Sequence, residues 1–557
     1  MKDEPHRMSV ERDSTSEPSQ YPNGEGRQEP SAKQPEVVQR TGGVSVDGMS
    51  GSEAGVSQEI SCGVRVTGQL SAQARLTGKA ARAAGEVGVS RSSVEARDST
   101  TRAEPRGGTC AQANQSDEGR GDGWEDSLNE WTRIVTPEKV RKLQRTLYRK
   151  AKAEPKYRFY SLYGELSRMD ILETALRRVA RNGGCAGVDG VEIEQVNRDE
   201  ETSQRWLEQI AQELKSKGYR PSAVLRHYLA KGEGKFRPLG IPTVKDRVVQ
   251  AAAVLVLMPI FEADMHGQSY AYRPGRNAHQ AIGAIAQAVK KGQTEVIDAD
   301  LSGYFDSIPH RALLKLVARR ISDGAMLKLI RSWLRAPVEE RGEKGGPPRR
   351  QINRQGTPQG GVISPLLANL YLDRLDKGVN DQCELRPTMV RYADDFVILC
   401  RHGQGKGLME RLQRWLTANG LKLNAQKTRL VDMRQAGIKF LGFSLSVRQW
   451  RNRQGTRYVH IEPHGKSQQK LRDKIKEKLN RWTQHREAEE VIKEINRLVK
   501  GWAGYFRYGN PAHVFGKMQY YLHGKLWRWL WRKHGKKMPK GCTNAAIHDQ
   551  YGLIKLA

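Results

Sequence analysis

The sequence of 557 residues lacks three features that would assign it to common protein classes. Its six cysteines include no Cys-x-x-Cys pair, which argues against a zinc ribbon and against a disulfide framework. No apolar run approaches the roughly 20 residues that a membrane-spanning helix needs. The N-terminus has no charged and then apolar signal peptide. These absences favour a protein of a reducing cytoplasm.

Aromatic residues are almost missing from residues 1–125, where only Tyr21 and Trp124 occur. Ser, Gly, Glu, Gln and Arg dominate this segment, so it cannot bury enough apolar surface to offset its ordering entropy. We predict a disordered, low-complexity tail. An upstream extension of the reading frame with no role of its own is the alternative.

Positive charge is abundant and unevenly placed. The formal net charge of the whole sequence is +32. Residues 1–125 hold 15 Lys and Arg against 19 Asp and Glu, so residues 126–557 carry +36. This balance favours binding of a polyanion, most commonly nucleic acid, over a merely soluble basic protein or attraction to anionic lipid.

The stretch Val390–Cys400 places two adjacent acids, Asp394 and Asp395, between short apolar runs that favour strands. The pattern predicts a β-hairpin with the acid pair at its tip. A solvated acidic turn is the alternative on this stretch alone. The turn lacks the glycine that two-residue hairpin turns usually contain. An acid pair on a buried hairpin would suit a divalent cation, which prefers hard oxygen ligands.

A third carboxylate is available in residues 295–308, which predict a short strand with acids at its end and then a turn. Asp298, Asp300 and Asp306 are the candidates. An acid at the carboxyl edge of a strand can reach a neighbouring hairpin tip, which favours Asp298 or Asp300 and leaves both open. Asp306 is better suited to capping the next helix.

Residues 225–242 predict two strands joined by a basic turn, and residues 246–262 predict a strongly apolar helix. Lys231, Lys235 and Arg237 are spaced so that several cations could face one side, as a triphosphate clamp requires. A solvated basic hairpin is the alternative for the first stretch.

Residues 354–373 contain a glycine-rich turn before a helix that starts at Ser364 and Pro365. Gly360 and Gly361 allow the backbone to approach a flat ligand closely. Because glycine-rich turns before helices are common, this signal has low specificity by itself.

Beyond Pro463 the sequence predicts basic helices, the first with one apolar face over residues 484–506 and the next starting at Pro511. Aromatics interleaved with cations suit contacts with RNA backbone and bases. Core aromatics under solvated charges are the alternative. The candidate RNA-binding residues are Lys517, Lys525, Arg528, Arg532 and Lys533.

In this order the segments resemble reverse transcriptases of bacterial group II introns, the intron maturases. Tyr392-Ala-Asp-Asp395 is similar to the family's palm hairpin, and residues 300–306 are similar to the strand with its third catalytic carboxylate. This match selects Asp300 over Asp298. Residues 355–371 are similar to the template and nucleotide segment, and residues 501–507 are similar to the signature of the maturase region.

The resemblance implies an α+β right-hand polymerase fold with fingers, a palm with a ferredoxin-like antiparallel sheet, and a helical thumb. The implied boundaries are a tail over 1–125, fingers and palm over 126–462, the thumb or maturase domain X over 463–533, and a short basic segment over 534–557. Many members carry an endonuclease with paired cysteines. Only Cys542 lies past the maturase region, so no endonuclease is expected.

The implied function is an RNA-directed DNA polymerase that also binds intron RNA as a splicing maturase and supports intron mobility by target-primed reverse transcription. Its partners would be group II intron RNA, a DNA target or primer, and dNTPs, without a membrane, in the bacterial nucleoid or a ribonucleoprotein. A splicing-only maturase is one alternative, which the three retained acids disfavour. A retron, CRISPR-associated or diversity-generating enzyme is another, which residues 501–507 disfavour.

The resemblance also implies specific site residues. Asp300, Asp394 and Asp395 would be catalytic, and with Leu301 they would hold two Mg²⁺ ions. The implied nucleotide-binding residues are Lys231 and Arg237 at the phosphates, Phe305 under the sugar, Gln359 and Gly360 at the incoming nucleotide, and Lys427 as a proton donor to pyrophosphate.

Overall fold

The computed structural model describes residues 135–556, apart from 233–234, 343–346, 451–454 and 536–542. The side chains of residues 231, 232 and 235 are also outside the description. The tail predicted over residues 1–125 therefore lies outside the described residues.

Helices form about half of the described chain. In order they are α1 (Glu138–Ala153), α2 (Met169–Asn182), α3 (Ile193–Val196), α4 (Glu200–Lys215), α5 (Val244–Glu262), α6 (Ala278–Lys290), α7 (Tyr304–Ser307), α8 (His310–Val317), α9 (Gly324–Leu334), α10 (Ser364–Asn380), α11 (Gly405–Ala418), α12 (Gly465–Lys478), α13 (Ala488–Phe506), α14 (Ala512–Lys533) and α15 (Asn544–Asp549). No helix in these described ranges is long and apolar enough to cross a membrane.

The strands form three sheets. They are β1 (Val224–Gly232), β2 (Lys235–Ile241), β3 (Glu295–Asp300), β4 (Pro337–Glu340), β5 (Arg349–Ile352), β6 (Thr388–Tyr392), β7 (Asp395–Cys400), β8 (Arg429–Asp432), β9 (Ile438–Phe440), β10 (Phe443–Gln449) and β11 (Arg457–Pro463). The sheet orders are β2-β1-β4-β5, β6-β7-β3-β8 and β11-β10-β9. All pairings among these strands are antiparallel except that of β1 with β4.

The helix α5 is the centre of the N-terminal part of the fold. It is apolar on every side, and nearly all of its side chains are buried between α1 and α2, as expected for a core helix. Thr243 caps its first turn by accepting a hydrogen bond from the Asp246 backbone N–H at 3.1 Å. The predicted helix over 246–262 is thus confirmed and begins two residues earlier.

The central strand β7 of the palm sheet β6-β7-β3-β8 is buried on both faces because its side chains alternate between two cores. In β7, Phe396 and Ile398 join the core that contains α10, while Val397 and Leu399 join the core that contains α6. The ends of β3 and β7, which carry Asp300 and Asp395, are therefore held in place by packing against these cores.

The three-helix unit α12, α13 and α14 packs around a shared core that includes Ile475, Ile495 and Leu526. Ile547 and Leu553 belong to the same core, so the boundary expected at residue 533 falls inside one packed unit. The end of α13 contacts the palm, where Phe506 and Phe443 have ring centroids 4.9 Å apart.

Candidate active site

The acid turn lies between β6 and β7, as the sequence predicts. Tyr392 is opposite Asp395 in the ladder, so Ala393 and Asp394 alone form the turn. Ala393 has φ of 62°, the left-handed region in which glycine is usual. Such a conformation costs an alanine about 1–2 kcal/mol. The turn therefore closes without glycine at the expense of backbone strain.

A buried arginine supports the acid turn through a hydrogen bond to its backbone. Arg391 is fully buried, and its guanidinium donates to the Ala393 carbonyl at 3.0 Å. Its Nε donates to Asp376 at 2.8 Å, and its Nη1 donates to Asn369 at 2.8 Å. Asp376 and Asn369 both lie on α10. Removing one partner of such a buried pair typically costs about 3–5 kcal/mol, so the pair holds the turn firmly.

The strand register distinguishes the positions of Asp298 and Asp300. Asp300 ends β3 directly opposite Asp395 of β7. Asp298 lies two residues earlier on the same strand, where Arg429 of β8 donates to it at 2.9 Å. Both acids have a cationic partner, Arg429 for Asp298 and Lys427 for Asp300, but Asp300 alone of the two lies opposite Asp395 at the acid turn.

Asp306 does not cap the next helix, which corrects the sequence-based expectation. Pro309 is at the N-cap position of α8, and no side chain caps that helix. The Asp306 carboxylate instead accepts a hydrogen bond from Gln359 Nε2 at 3.2 Å. Burial raises the pKa of Asp306, while Arg226 and Arg237 oppose that rise.

One turn, residues 422–428, wraps around Asp300. Asn424 Nδ2 donates to Asp300 Oδ2 at 3.1 Å, and Lys427 Nζ lies 2.9 Å from the same oxygen. The backbone of Asp300 is held as well, because its carbonyl accepts from the Asn424 N–H at 2.8 Å and its N–H donates to Thr428 at 3.4 Å. The sequence indicates Lys427 only by resemblance and does not indicate Asn424.

The bond between the Asn424 N–H and the Asp300 carbonyl makes this turn an extension of the palm sheet. A neighbouring backbone bond, from the Ser302 N–H to the Lys422 carbonyl at 2.9 Å, continues the same pairing. Leu301 and Leu423 form an isolated antiparallel bridge between these two bonds. The Leu301 side chain is buried, so only its backbone carbonyl could contact a metal ion.

Burial and the neighbouring acids raise the proton affinity of Asp395. Burial raises the pKa of Asp395 to about 6, with the charges of Asp394 and Asp300 adding to the rise and Lys427 opposing it. Tyr272 is close enough to respond to the same charges, since burial and then Asp394 raise its pKa. Tyr272 has φ of 60°, a second strained position at this site.

These residues suit hard divalent cations. In the described ranges no three His, Cys, Asp or Glu side chains converge into a complete metal site. Mg²⁺ is usually held by one or two carboxylates together with substrate phosphates, so a complete protein cage is not required. Mutual repulsion among Asp300, Asp394 and Asp395 leaves negative charge that bound cations would offset.

The predicted nucleotide segment adjoins the acids. Gln359 links two groups, because its Oε1 accepts from Arg237 Nε at 2.8 Å while its Nε2 donates to Asp306. Arg237 of β2 is exposed at this point. Lys231, the other predicted phosphate contact, has a side chain outside the described set.

Two further predicted residues pack against the protein itself. A Cβ at Gly360, which has φ of 120°, would lie 2.2 Å from the Gly240 carbonyl oxygen. Glycine is therefore required there by contact with β2, whereas the sequence suggested contact with a ligand. Phe305 is buried, and its carbonyl accepts from the Thr357 N–H at 2.6 Å, which ties it to the nucleotide segment.

Of the five candidate RNA-binding residues, four lie along one stripe of α14 and one does not. Lys517, Lys525, Arg528 and Arg532 recur at helical spacing on this stripe. Lys533 instead donates to the Gln484 carbonyl at 3.2 Å and the Arg486 carbonyl at 2.8 Å. Lys533 therefore holds the loop before α13.

The fold and the site together define a right-hand polymerase, with the acids on the palm sheet and the helical unit after it. Two family models match the chain. The model for reverse transcriptase (RNA-dependent DNA polymerase) matches residues 229–445, and the model for the group II intron maturase-specific domain matches residues 468–545.

Curated relatives agree with these matches. Protein YkfC of Escherichia coli is 32% identical over 345 residues, which cover 55% of this chain and 88% of YkfC. The group II intron-encoded protein LtrA of Lactococcus lactis is 36% identical over 222 residues, which cover 40% of this chain and 35% of LtrA. The chain therefore belongs to the family of group II intron reverse transcriptases and maturases.

Solved structures are more distant. A partial Cas6-RT-Cas1--Cas2 complex is 22% identical, with 45% of this chain and 40% of that chain covered and a TM-score of 0.29. Apo telomerase from Candida tropicalis is 12% identical, with 44% and 59% covered and a TM-score of 0.34. Both scores are too low to support an inference.

Proposed function

We propose that the protein extends a DNA 3′ end on an RNA template, releases pyrophosphate, and binds group II intron RNA as a maturase. The pairing of Asp300 with Asp395 beside the Asp394 turn carries this proposal, because it places three carboxylates at one edge of the palm sheet. Target-primed reverse transcription in a cytoplasmic ribonucleoprotein would follow from the two activities together.

Asp300, Asp394 and Asp395 would hold two Mg²⁺ ions, with the Leu301 carbonyl as a further ligand. In two-metal sites such ions stabilise the attacking and leaving oxygens of an in-line displacement. The chain's own contribution is orientation. Arg391 fixes the acid turn through the Ala393 carbonyl, and the 422–428 turn fixes Asp300.

The nucleotide-binding roles follow the same geometry. Arg237 is hydrogen-bonded to Gln359, which supports a joint role for the two side chains at the triphosphate and base of a dNTP. Phe305 would lie under the sugar and disfavour a 2′-OH. Lys427, which is 57% exposed and pairs with Asp300, is free to turn toward pyrophosphate as a proton donor.

A splicing-only maturase is the second candidate function. The maturase-specific match over residues 468–545 supports it as an activity that coexists with polymerisation. The intact acid cluster supports the polymerase, because intron RNA binding alone makes no use of three adjacent carboxylates.

The decisive experiment measures Mg²⁺-dependent dTTP incorporation on an RNA template with a DNA primer. Asp394→Asn is expected to lower extension by roughly 10³-fold or more, because it removes one charge of the metal site while keeping the side chain's size. Circular dichroism and the melting temperature serve as the folding control. Retained extension by a folded Asp394→Asn protein would refute the assignment.

A further inference from the structure

The two-residue turn between β9 and β10 is strained and depends on support from elsewhere. Phe440 and Phe443 are opposite each other in the ladder, so Leu441 and Gly442 alone form the turn. Both have positive φ, 49° at Leu441 and 83° at Gly442, which is typical of the type I′ turns of tight hairpins. Glycine adopts this geometry freely, whereas a leucine in the left-handed region is strained. Contacts from outside the hairpin must therefore stabilise the turn.

The thumb supplies those contacts through three hydrogen-bond donors. The Tyr505 hydroxyl donates to the Leu441 carbonyl at 3.0 Å. The Gly442 carbonyl accepts from the His464 N–H at 2.9 Å and from Ser467 Oγ at 3.0 Å. Tyr505 lies in the last turn of α13, and the other two donors lie at the start of α12. Two thumb helices therefore hold one turn.

The packing around this turn is tight. A Cβ at Gly442 would lie 3.1 Å from Ser467 Oγ and 3.3 Å from the Phe506 ring, so there is little room for a side chain. The Phe443 ring, next to the turn, lies 5.5 Å from the Tyr505 ring between centroids. The end of α13 is therefore packed directly against the β9-β10 hairpin.

Tyr505 also contacts the helix that supports the acid hairpin. Its backbone carbonyl accepts a hydrogen bond from His279 Nε2 of α6 at 2.6 Å. Because a carbonyl can only accept, this nitrogen carries the proton. The helix α6 packs against β6, the strand before the acid turn, and shares its core with Val397 and Leu399 of β7. Tyr505 therefore lies between the 441–442 turn and the framework that holds the acids.

A third contact of Tyr505 is with the acid hairpin itself. Burial and then the neighbouring Tyr392 raise the pKa of Tyr505, and Tyr392 is opposite Asp395 in the strand ladder. All three contacts cross from one family match to the other, because Tyr505 lies within residues 468–545 and its partners lie within residues 229–445. Groups that are occupied in this way favour a role in polymerisation over a direct contact with RNA.

We propose that Tyr505 is a positioning residue for DNA synthesis, which holds the 441–442 turn and α6 together and so fixes the thumb relative to the carboxylates. A thumb fixed in this way retains the primer–template duplex while nucleotides are added. This inference rests on the polymerase part of the proposed function. It assigns a residue of segment 501–507, which is similar to the maturase signature, to polymerisation.

The test measures primer extension by the full-length protein on an RNA template, as kcat, as the KM for primer–template and as the number of nucleotides added per binding event. Tyr505→Phe keeps the ring and removes only the hydroxyl that donates to Leu441. It is expected to raise the KM about 3- to 10-fold and to shorten the products, with kcat within about twofold. Ser467→Ala should raise the KM by only about 2- to 3-fold, since the Gly442 carbonyl keeps its bond from the His464 N–H.

Matched controls separate this role from a structural one and from RNA binding. Tyr520→Phe makes the same chemical change on an exposed side chain of α14 and should leave all three quantities unchanged. A fluorescent RNA dumbbell, whose strand has no free end, reports RNA binding without a primer, and Tyr505→Phe should keep that affinity within about twofold. A purely structural loss would lower the melting temperature and the active fraction, and hence kcat, while leaving the KM unchanged.

The possible failures are distinguishable. A Tyr505→Phe protein with the KM and the product length of the unchanged protein would overturn the role of the hydroxyl. A loss of dumbbell affinity as large as the rise in KM would also overturn it, because the residue would then act through RNA binding. If the unchanged protein itself extends no primer, the polymerase assignment fails, and the role of Tyr505 fails with it.

Discussion

The palm and the thumb concentrate charge of opposite sign by different means. In the palm, Asp300, Asp394 and Asp395 lie at neighbouring ladder and turn positions because two strand pairings have a fixed register. In the thumb, Lys525 and Arg472 meet because two helices pack and one tyrosine ring lies between their side chains. The negative charge in excess of Lys427 would favour cations as the ligand in the palm, and the clustered positive charge would favour a polyanion on the thumb.

The two regions differ in how firmly their charged side chains are held. The acids are held by backbone pairing and by a buried ion pair beneath them, so their positions are fixed before a ligand arrives. The thumb cations are long side chains at the surface. They could therefore adjust to a nucleic-acid backbone of any sequence. We therefore expect substitutions in the palm to change catalysis steeply and substitutions in the thumb to change affinity gradually.

The largest expected effect is the difference in primer extension between variants of Asp300 and Asp298, two acids of β3. Asp300→Asn should lower primer extension roughly 10³-fold or more, because Asp300 faces the acid turn. Asp298→Asn is the matched control and should change extension about fivefold or less, since Asp298 is paired with Arg429. Steady-state kcat on an RNA template measures both. Similar losses in the two variants would contradict the assignment from strand register.

An intermediate effect is expected at the turn that wraps around Asp300. Asn424→Ala removes the amide that donates to Asp300 Oδ2, and loss of such a partner typically costs about 10- to 100-fold in metal affinity or activity. Titration of Mn²⁺ by electron paramagnetic resonance should show weaker binding, with little change in melting temperature. Unchanged Mn²⁺ affinity would show that Asn424 does not position the carboxylate.

The smallest expected effect is a change in the stability of the fold with pH. The pKa of Asp395 is raised to about 6 in the folded protein from its ordinary value of 3.8, so the fold binds this proton more tightly than the unfolded chain does. Stability from Asp395 is therefore present at low pH and is lost as pH rises through about 6. Above that pH the ionised carboxylates repel one another, and bound Mg²⁺ would relieve the repulsion.

Melting temperatures with and without Mg²⁺ test whether this stability is lost, and not gained, as pH rises. The gain from Mg²⁺ should be larger at about pH 7.5 than at about pH 5, by a few degrees at most. Asp395→Asn should flatten the difference. A gain that grows toward low pH would contradict burial and carboxylate repulsion as the causes of the raised pKa.

Local sequence pattern was sufficient to predict the acid hairpin and the strand before Asp300. Alternating apolar residues set the strands, and their packing fixes the register. The pattern could not distinguish Asp298 from Asp300, because the distinction depends on Arg429, more than a hundred residues further along the chain. Resemblance to the family favours Asp300, and Asp300 is also the residue that lies opposite Asp395 in the strand ladder.

Other parts of the site could not be predicted because they arise from tertiary packing. Asn424 and Arg391 have no local signal that marks them as supports of the acids. Lys533 has the same local environment in sequence as Arg532, yet its ammonium group holds two carbonyls. The contact of Tyr521 with Arg472 of α12 likewise depends on how the two helices pack.

The buried Arg391 also joins two parts of the site mechanically. It binds the tip of the acid turn and the middle of α10, and α10 begins only a few residues after Gln359. A shift of the nucleotide segment would therefore be transmitted along a rigid helix to the carboxylates. We therefore expect binding of a nucleotide and positioning of the carboxylates to be coupled through α10.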